Sequence, residues 1–236
     1  MENIVITGAN RGIGLGLVRE SLRKGWRIFA GARRPDAAPE LRELTDQNPD
    51  RVHLLEIDVT DQASVEQAGR SIAANADSLD ILVNNAGVYP EGGDEAFSDV
   101  PLEQFKTAMD VNYLGTIRVT QVLLPLIRRS ARGRILNLSS GAATLSTKSD
   151  SRRYCYGPSK TALNMFTRTL AHELAPAGII ATALSPGWVR TEMGGGDADL
   201  PIEEAVAAIV ETLEKLSPGQ AGLFLDRFGN PDSYAW

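Results

Sequence analysis

The sequence TGANRGIG, at residues 7–14, decides the fold. It directly follows an apolar run at residues 4–6 and opens an amphipathic stretch at about 13–24. Glycines at such a strand-to-helix turn permit positive φ angles and let the backbone approach a pyrophosphate, which the helix N-terminus attracts. The spacing Gly-x3-Gly-x-Gly differs from the Gly-x-Gly-x-x-Gly of the general dinucleotide fingerprint, and a glycine-rich turn without a ligand is the alternative. The strand–turn–helix context favours a dinucleotide site.

Short apolar runs alternate with amphipathic stretches along the whole chain. Seven runs predict strands, at residues 4–6, 26–32, 52–57, 81–83, 135–138, 179–184 and 222–225. Helical periodicity predicts helices at about 13–24, 61–75, 102–129, 156–175 and 201–216, with a weaker pattern near 38–46. The strands lack apolar–polar alternation, which is typical of parallel strands covered on both faces. The pattern therefore predicts one α/β domain over residues 1–236, built as a doubly wound parallel sheet.

The composition of the 236-residue chain argues against several functional classes. A formal net charge of -6 disfavours a nucleic-acid surface. No apolar run reaches the roughly 18 residues of a membrane span, and residues 1–3 do not begin a signal peptide. The single cysteine, Cys155, excludes an intramolecular disulfide, and His53 and His172 lack metal-ligand spacing. We therefore expect a cytoplasmic protein with no metal site and no membrane or nucleic-acid partner.

The end of the second predicted strand selects the form of the dinucleotide. An acidic residue there would bind the ribose 2′-hydroxyl of NAD, whereas an arginine accommodates the 2′-phosphate of NADP. The strand ends in Arg33 and Arg34, and the first acid, Asp36, lies beyond it. Arg11 in the glycine turn is expected to approach Arg33, and two arginines suit a phosphate dianion. The sequence therefore predicts NADP(H), with two solvated loop arginines as the alternative.

Tyr156 and Lys160 lie four residues apart at the start of a predicted helix, so their side chains share one face. A nearby ammonium favours the phenolate, which predicts a lowered pKa for Tyr156 and a role as general acid and base. The alternative is a surface pair, since tyrosine and lysine often occur at this spacing. Ser139 and Ser140 end the fifth strand, at the sheet edge where doubly wound folds bind ligands. That placement favours an active site.

Five segments in the same order resemble the short-chain dehydrogenase/reductase family over nearly the whole chain. They are TGANRGIG at 7–14, NNAG at 84–87, NLSS at 137–140, the pair Tyr156 and Lys160, and PG at 186–187. The resemblance implies a Rossmann domain whose seven-stranded parallel sheet has the order 3-2-1-4-5-6-7, with helices on both faces. It also implies an NADP(H)-dependent oxidoreductase that transfers a hydride between the nicotinamide and a carbonyl or alcohol substrate.

The resemblance further implies roles for individual residues. Tyr156 would donate or accept the proton, Ser140 would orient the substrate oxygen, and Lys160 would bind the nicotinamide ribose and lower the tyrosine pKa. Asn112 would hold a water that links Lys160 to solvent. The residues implied in cofactor binding, besides Tyr156 and Lys160, are Gly8, Asn10, Arg11, Gly12, Ile13, Gly14, Arg33, Asp58, Val59, Asn85, Ala86, Gly87, Pro186, Gly187, Val189 and Thr191.

Within the family, the sequence is similar to the C-factor/sniffer group of carbonyl reductase-like proteins. The similar segments are residues 10–16, PGWVRTEMGG at 186–195 and YAW at 234–236. This similarity leaves two functions open: a carbonyl reductase, and a nucleotide-binding signalling or interaction protein with little turnover. The resemblance also implies a homodimer or homotetramer, with the helices predicted at about 102–129 and 156–175 at the interface.

One departure from the family concerns the stretch between Ser140 and Tyr156, which is longer than usual. Its residues 146–153 are polar and charged, and they predict a loop beside the mouth of the active site. Because such loops choose the substrate and carry little motif character, the sequence does not identify the carbonyl compound.

Overall fold

The structure, a computed structural model, describes residues 1–92 and 95–231. Within these residues seven parallel strands pair into one sheet. In chain order they are β1 (Asn3–Thr7), β2 (Arg27–Ala32), β3 (Val52–Glu56), β4 (Ile81–Asn84), β5 (Arg134–Leu138), β6 (Ile180–Leu184) and β7 (Phe224–Leu225). Across the sheet the order is β3-β2-β1-β4-β5-β6-β7, which confirms the predicted topology. The similarity predicted at 234–236 lies outside the described residues.

Seven α-helices connect the strands in the described part of the chain. They are α1 (Gly12–Arg23), α2 (Pro39–Gln47), α3 (Gln62–Asn75), α4 (Leu102–Met109), α5 (Gly115–Ile127), α6 (Tyr156–Leu174) and α7 (Ile202–Lys215). Their ends agree with the predicted helices to within two residues, apart from the division between α4 and α5. No helix within 1–92 or 95–231 is both long and apolar enough to cross a membrane.

The sheet is covered by helices on both faces, and β1 shows how. Ile4 and Ile6 belong to the apolar cluster that includes α1, α2 and α7, whereas Val5 belongs to the cluster of α3, α5 and α6. All three side chains are fully buried. Complete burial of such a side chain contributes about 1.5–3 kcal/mol, so both faces of the strand require apolar residues. This explains the continuous apolar runs in the sequence.

A π-helical segment, Asp110–Leu114, separates α4 from α5. The prediction of one uninterrupted helix at about 102–129 was therefore wrong in this region. The apolar periodicity continues on both sides of a widened turn, so the sequence pattern does not reveal it. Such segments are often found at functional sites, and this one carries the buried side chain of Asn112.

Two glycines of the turn at residues 7–14, Gly8 and Gly14, leave no room for a side chain. Gly8 has a φ of +65°, a conformation that residues with a β-carbon rarely adopt. A β-carbon on Gly14 would lie 2.2 Å from the carbonyl oxygen of Gly8. Glycine at these positions therefore lets the N-terminus of α1 lie directly against the end of β1.

Gly14→Ala is expected to destabilise the protein by about 1–3 kcal/mol, because the new methyl group forces this turn apart. Gly196→Ala is the matched control, since a β-carbon on Gly196 would meet nothing within 4 Å. Urea unfolding followed by circular dichroism measures both variants. A Gly14→Ala protein as stable as the Gly196→Ala protein would contradict the packing described for the first turn.

Candidate active site

The carboxyl ends of the strands border a cavity of about 1170 Å³, large enough for an extended dinucleotide and a small substrate. Every residue predicted to bind the cofactor lines this cavity, and so do Ser140, Tyr156 and Lys160. Asn112 does not line it but lies buried behind it. Because these residues come from separate loops, the shared sheet edge brings them together.

The glycine turn is tied to the loop that follows β4. The hydroxyl of Thr7 accepts hydrogen bonds from the backbone N–H groups of Asn85 and Ala86, both at 3.0 Å. In return the Asn85 amide donates to the carbonyl oxygens of Thr7, at 2.7 Å, and Gly8, at 3.0 Å. The Asn85 side chain therefore holds the walls of the cavity together, a role that the sequence did not predict for it.

Ser139 and Ser140, adjacent in sequence, have different surroundings. The Ser139 hydroxyl is buried and donates to Asn164 Oδ1 at 2.6 Å, so it is part of the structure beneath the cavity. The Ser140 hydroxyl forms a hydrogen bond with the Tyr156 phenol and accepts one from the backbone N–H of Ala142 at 3.2 Å. Of the two serines, Ser140 is the one that faces the tyrosine.

Burial controls the protonation of Tyr156. It raises the pKa of the phenol above its ordinary value, against the smaller opposite effects of the Ser140 hydrogen bond and the positive charge of Arg153. The predicted lowering of this pKa was therefore wrong in direction. The sequence shows that a lysine is near, but it does not show how far the surrounding fold shields the partly buried phenol from water.

Lys160 lies on the same helical face as Tyr156, as the spacing predicted. Its Nζ is 5.8 Å from the centre of the Tyr156 ring and donates to the carbonyl oxygen of Leu138 at 2.7 Å. Burial lowers the pKa of this ammonium to about 8, because the charged form loses its hydration. The amine therefore titrates close to physiological pH.

The side chain of Asn112 is held by protein groups on both sides. Its Oδ1 accepts from the backbone N–H of Val88 at 2.8 Å, and its Nδ2 donates to the Val88 carbonyl and the Ser159 hydroxyl, both at 2.9 Å. Both amide hydrogens are thus engaged. Asn112 links the loop after β4 to the start of α6, where Tyr156 and Lys160 lie.

The two arginines predicted for the 2′-phosphate, Arg11 and Arg33, both line the cavity, and Arg34 lines it as well. The positive charge of Arg33 helps to lower the pKa of Asp58, although burial of Asp58 acts in the opposite direction. The guanidinium of Arg11 forms an ion pair with Glu192. The approach of Arg11 to Arg33 stays a prediction, and Glu192 is a partner of Arg11 that the sequence did not predict.

Glu91 is a site residue that no sequence motif identifies. It lies in the loop after β4, it is buried, and its Oε1 accepts from the backbone N–H groups of Cys155, at 3.0 Å, and Tyr156, at 2.7 Å. A carboxylate at this position satisfies donors at the start of α6 and interacts favourably with the helix dipole. Since the contact joins residues 64 and 65 positions apart, local patterns in the sequence do not reveal it.

Comparisons with known proteins agree with this architecture. Residues 2–199 match the model of the short chain dehydrogenase family, and the chain belongs to this family of oxidoreductases. Carbonyl reductase Sniffer of D. melanogaster is similar over 100% of both chains, with 32% identity and a TM-score of 0.95. An NADPH-bound carbonyl reductase from chicken fatty liver has 30% identity and a TM-score of 0.92, over 100% of this chain and 99% of that one. C-signal of Myxococcus xanthus is 38% identical over 151 residues, which cover 64% of this chain and 90% of that protein.

Glu91→Ala is expected to lower the free energy of unfolding by about 1–3 kcal/mol, because two buried backbone donors lose their acceptor. Glu91→Gln keeps one carbonyl oxygen and should lose less. Glu95→Ala removes an exposed carboxylate four residues away and should change stability by no more than about 0.5 kcal/mol. Urea unfolding of the three variants tests the contact, and equal stability of Glu91→Ala and Glu95→Ala would contradict it.

Proposed function

We propose that the protein is an NADP(H)-dependent carbonyl reductase that interconverts a carbonyl compound and its alcohol, with Tyr156 as general acid and base. The observation that carries the proposal is the placement of Ser140, Tyr156 and the buried Lys160 on one cavity that extends to Arg33, with the Ser140 hydroxyl close enough to Tyr156 to act on the pKa of its phenol. The chicken carbonyl reductase with bound NADPH supports the same cofactor for this chain.

The residues at one end of the cavity fit a dinucleotide phosphate. The close approach of Gly14 to Gly8 brings the N-terminus of α1 to the cavity, where backbone N–H groups favour a pyrophosphate. At the end of β2, Arg33 and Arg34 supply positive charge for the 2′-phosphate. Asp36, the acid that could have favoured NAD, is fully exposed and pairs with Arg42 at 3.6 Å. This arrangement supports NADP(H) over NAD(H).

In the proposed mechanism the nicotinamide, when bound, supplies or accepts the hydride at the carbonyl carbon. Ser140 orients the carbonyl oxygen by hydrogen bonding, and Tyr156 gives that oxygen its proton. The raised pKa of Tyr156 suits this direction, because the phenol is protonated at neutral pH and available as a donor. The reverse reaction uses the same two groups, with Tyr156 accepting the proton.

Lys160 and Asn112 are proposed to restore the proton to Tyr156. Lys160, whose pKa of about 8 allows proton exchange near neutrality, lies behind the phenol and would also bind the nicotinamide ribose. A β-carbon on Gly87 would lie 3.2 Å from Asn112 Oδ1 and 3.6 Å from Lys160 Nζ. The missing side chain at Gly87 keeps open the space between these groups, through which we propose that a water relays protons to solvent.

Tyr156→Phe is expected to lower kcat for NADPH oxidation with small ketones, aldehydes and quinones by about 10³-fold, within the range for loss of a general acid. The dissociation constant for NADPH, measured by fluorescence, should change less than threefold. The assay uses absorbance at the NADPH band with a panel of carbonyl compounds.

Tyr154→Phe is the matched control for this experiment. Tyr154 lies two residues earlier, and its ring packs against Phe97 with the ring centres 5.4 Å apart. Its hydroxyl has no part in the proposed mechanism, so the variant should keep the rate of the parent enzyme. Turnover by Tyr156→Phe at the Tyr154→Phe rate would contradict the assignment of the acid.

The double variant Arg33→Ala/Arg34→Ala is expected to raise KM for NADPH about 10–100-fold, because charged hydrogen bonds to the 2′-phosphate are lost. KM for NADH, which lacks that phosphate, should change less than threefold. Arg42→Ala is the control, since this exposed arginine pairs with Asp36 and does not line the cavity. An equal effect on NADPH and NADH would contradict recognition of the 2′-phosphate by these arginines.

A second candidate is a nucleotide-binding signalling or interaction protein with little turnover. The 38% identity to C-signal of Myxococcus xanthus supports it. The juxtaposition of Ser140, Tyr156 and Lys160 favours the reductase, because a protein that only binds a nucleotide does not need a proton donor. Tight NADPH binding without turnover across the carbonyl panel would favour the second candidate.

We also propose assembly into a homodimer or homotetramer through α4, α5 and α6. Leu114 and Met165 are exposed on this side of the protein, with 41% and 65% of their surface accessible. A second copy of the chain that covered them would remove apolar surface from water.

A further inference from the structure

A basic loop lies at the mouth of the cavity. It is formed by residues 146–153 and is named the 146–153 loop. It contains three cationic residues, Lys148, Arg152 and Arg153, and one acidic residue, Asp150. Asp150 pairs with all three cations, with N–O distances of 3.7 Å to Arg152 and 3.0 Å to Arg153, and the hydrogen bond from Lys148 is the main reason that its pKa is about 2. One carboxylate balances three cations only in part, so the loop keeps a net positive charge.

The two arginines of the 146–153 loop border the cavity that holds the proposed reacting groups. Arg152 and Arg153 both line the cavity together with Ser140 and Tyr156. Arg153 has a φ of 62°, and its carbonyl accepts from the backbone N–H of Gly157 at 3.1 Å in the first turn of α6. The left-handed conformation therefore anchors this arginine to the helix that carries the tyrosine. Its positive charge is felt at the phenol, where it opposes the larger effect of burial on the pKa of Tyr156.

These arginines are distant from the end of the cavity that fits the 2′-phosphate. Arg33 follows β2 and Ser140 follows β5, and β1 and β4 lie between those strands. Three strand spacings amount to about 14 Å. The two basic regions therefore lie beside different parts of the bound cofactor and substrate. Arg33 is at the end that fits the 2′-phosphate, and the 146–153 loop is next to the proposed reaction centre.

The acids near the cavity do not neutralise Arg152 and Arg153. Among the described residues, those that line it are Asp58, at the end of β3, and Glu192, which pairs with Arg11. Glu91 is buried and accepts from backbone N–H groups. A guanidinium carries five donors, and the hydrogen bond from Arg153 to Asp150 uses one nitrogen. Donors therefore remain for a second anion.

We propose that Arg152 and Arg153 bind a carboxylate of the substrate, so that the preferred substrates are oxo acids, aldehydes or ketones with a carboxylate near the carbonyl group. Arginine suits this task because its planar fork matches the two oxygens of a carboxylate. The inference rests on the proposed reductase function and adds the substrate class that the sequence did not identify.

The test compares 4-carboxybenzaldehyde with its methyl ester, which has the same aldehyde but no charge. The wild-type protein with saturating NADPH is expected to prefer the acid at least tenfold in kcat/KM. Because the preference is electrostatic, raising the ionic strength from about 0.02 to 0.5 M should lower kcat/KM for the acid and leave the ester nearly unaffected. This comparison needs no substitution and therefore no assumption about the folding of a variant.

The variants Arg152→Ala and Arg153→Asn are expected to reduce the acid-to-ester ratio of kcat/KM at least tenfold. Asparagine is chosen at 153 because it tolerates positive φ better than alanine. Arg152→Glu should bring the ratio below one. Arg128→Ala is the control, since Arg128 is exposed, pairs with Glu173 at 3.6 Å and does not line the cavity. It should keep the wild-type ratio.

The outcomes separate this inference from the proposed function. Turnover of both aldehydes with a ratio near one, or with the ester preferred, would overturn the carboxylate site while the reductase function stands. A raised KM for NADPH in the arginine variants, with an unchanged acid-to-ester ratio of kcat/KM, would also overturn the carboxylate site. Arg152 and Arg153 would then bind the cofactor and not the substrate. No turnover of either aldehyde or of the wider carbonyl panel would contradict the proposed function itself.

Discussion

The hydrogen bonds between Thr7 and the loop after β4 are the constraint on which the site depends. The chain runs from β1 outward to β3 and then returns to the other side of β1, where β4 begins the second half of the sheet. The crevice of a doubly wound fold opens at this reversal. The Thr7 hydroxyl and the Asn85 amide exchange four hydrogen bonds with the backbone there, which fixes the width of the crevice. The glycine turn on one side and the loop that leads to Glu91 on the other take their positions from it.

Removal of water is what gives the Tyr156–Lys160 pair its chemistry. The same burial acts in opposite senses on the two groups, raising the pKa of the phenol and lowering that of the ammonium. Desolvation disfavours whichever form is charged, so both shifts are toward neutral groups. The pKa of the lysine therefore falls below that of the tyrosine, the reverse of their order in the free amino acids, so transfer of a proton from the Lys160 ammonium to a Tyr156 phenolate is favourable. Proximity of opposite charges, the feature visible in the sequence, is the smaller effect.

The sequence predicts features that depend on neighbouring residues, but it does not predict contacts between segments that are distant along the chain. The strands and helices could be predicted because apolar periodicity is a local property, and the cavity-lining residues could be predicted because their segments resemble those of the short-chain dehydrogenase/reductase family. The contact of Glu91 with α6 and the pairing of Arg11 with Glu192 join distant segments, and neither has a local pattern. The pKa of Tyr156 was predicted in the wrong direction because burial is a property of the whole fold. The roles of Ser140, Lys160 and Asn112 in a reaction stay predictions.

The π-helical segment between α4 and α5 accommodates one more residue than a regular α-helical turn would. Deleting one residue from Asp110–Leu114 would restore a regular helix and leave Val119 and Leu123 buried, because the widened turn accommodates the extra residue, but it would disturb the segment that holds Asn112 against Val88 and Ser159. The 146–153 loop lies at the surface, where added residues cost little free energy of unfolding. A change of length between α4 and α5 is therefore expected to act first on Asn112 and on the link that it makes between the loop after β4 and α6.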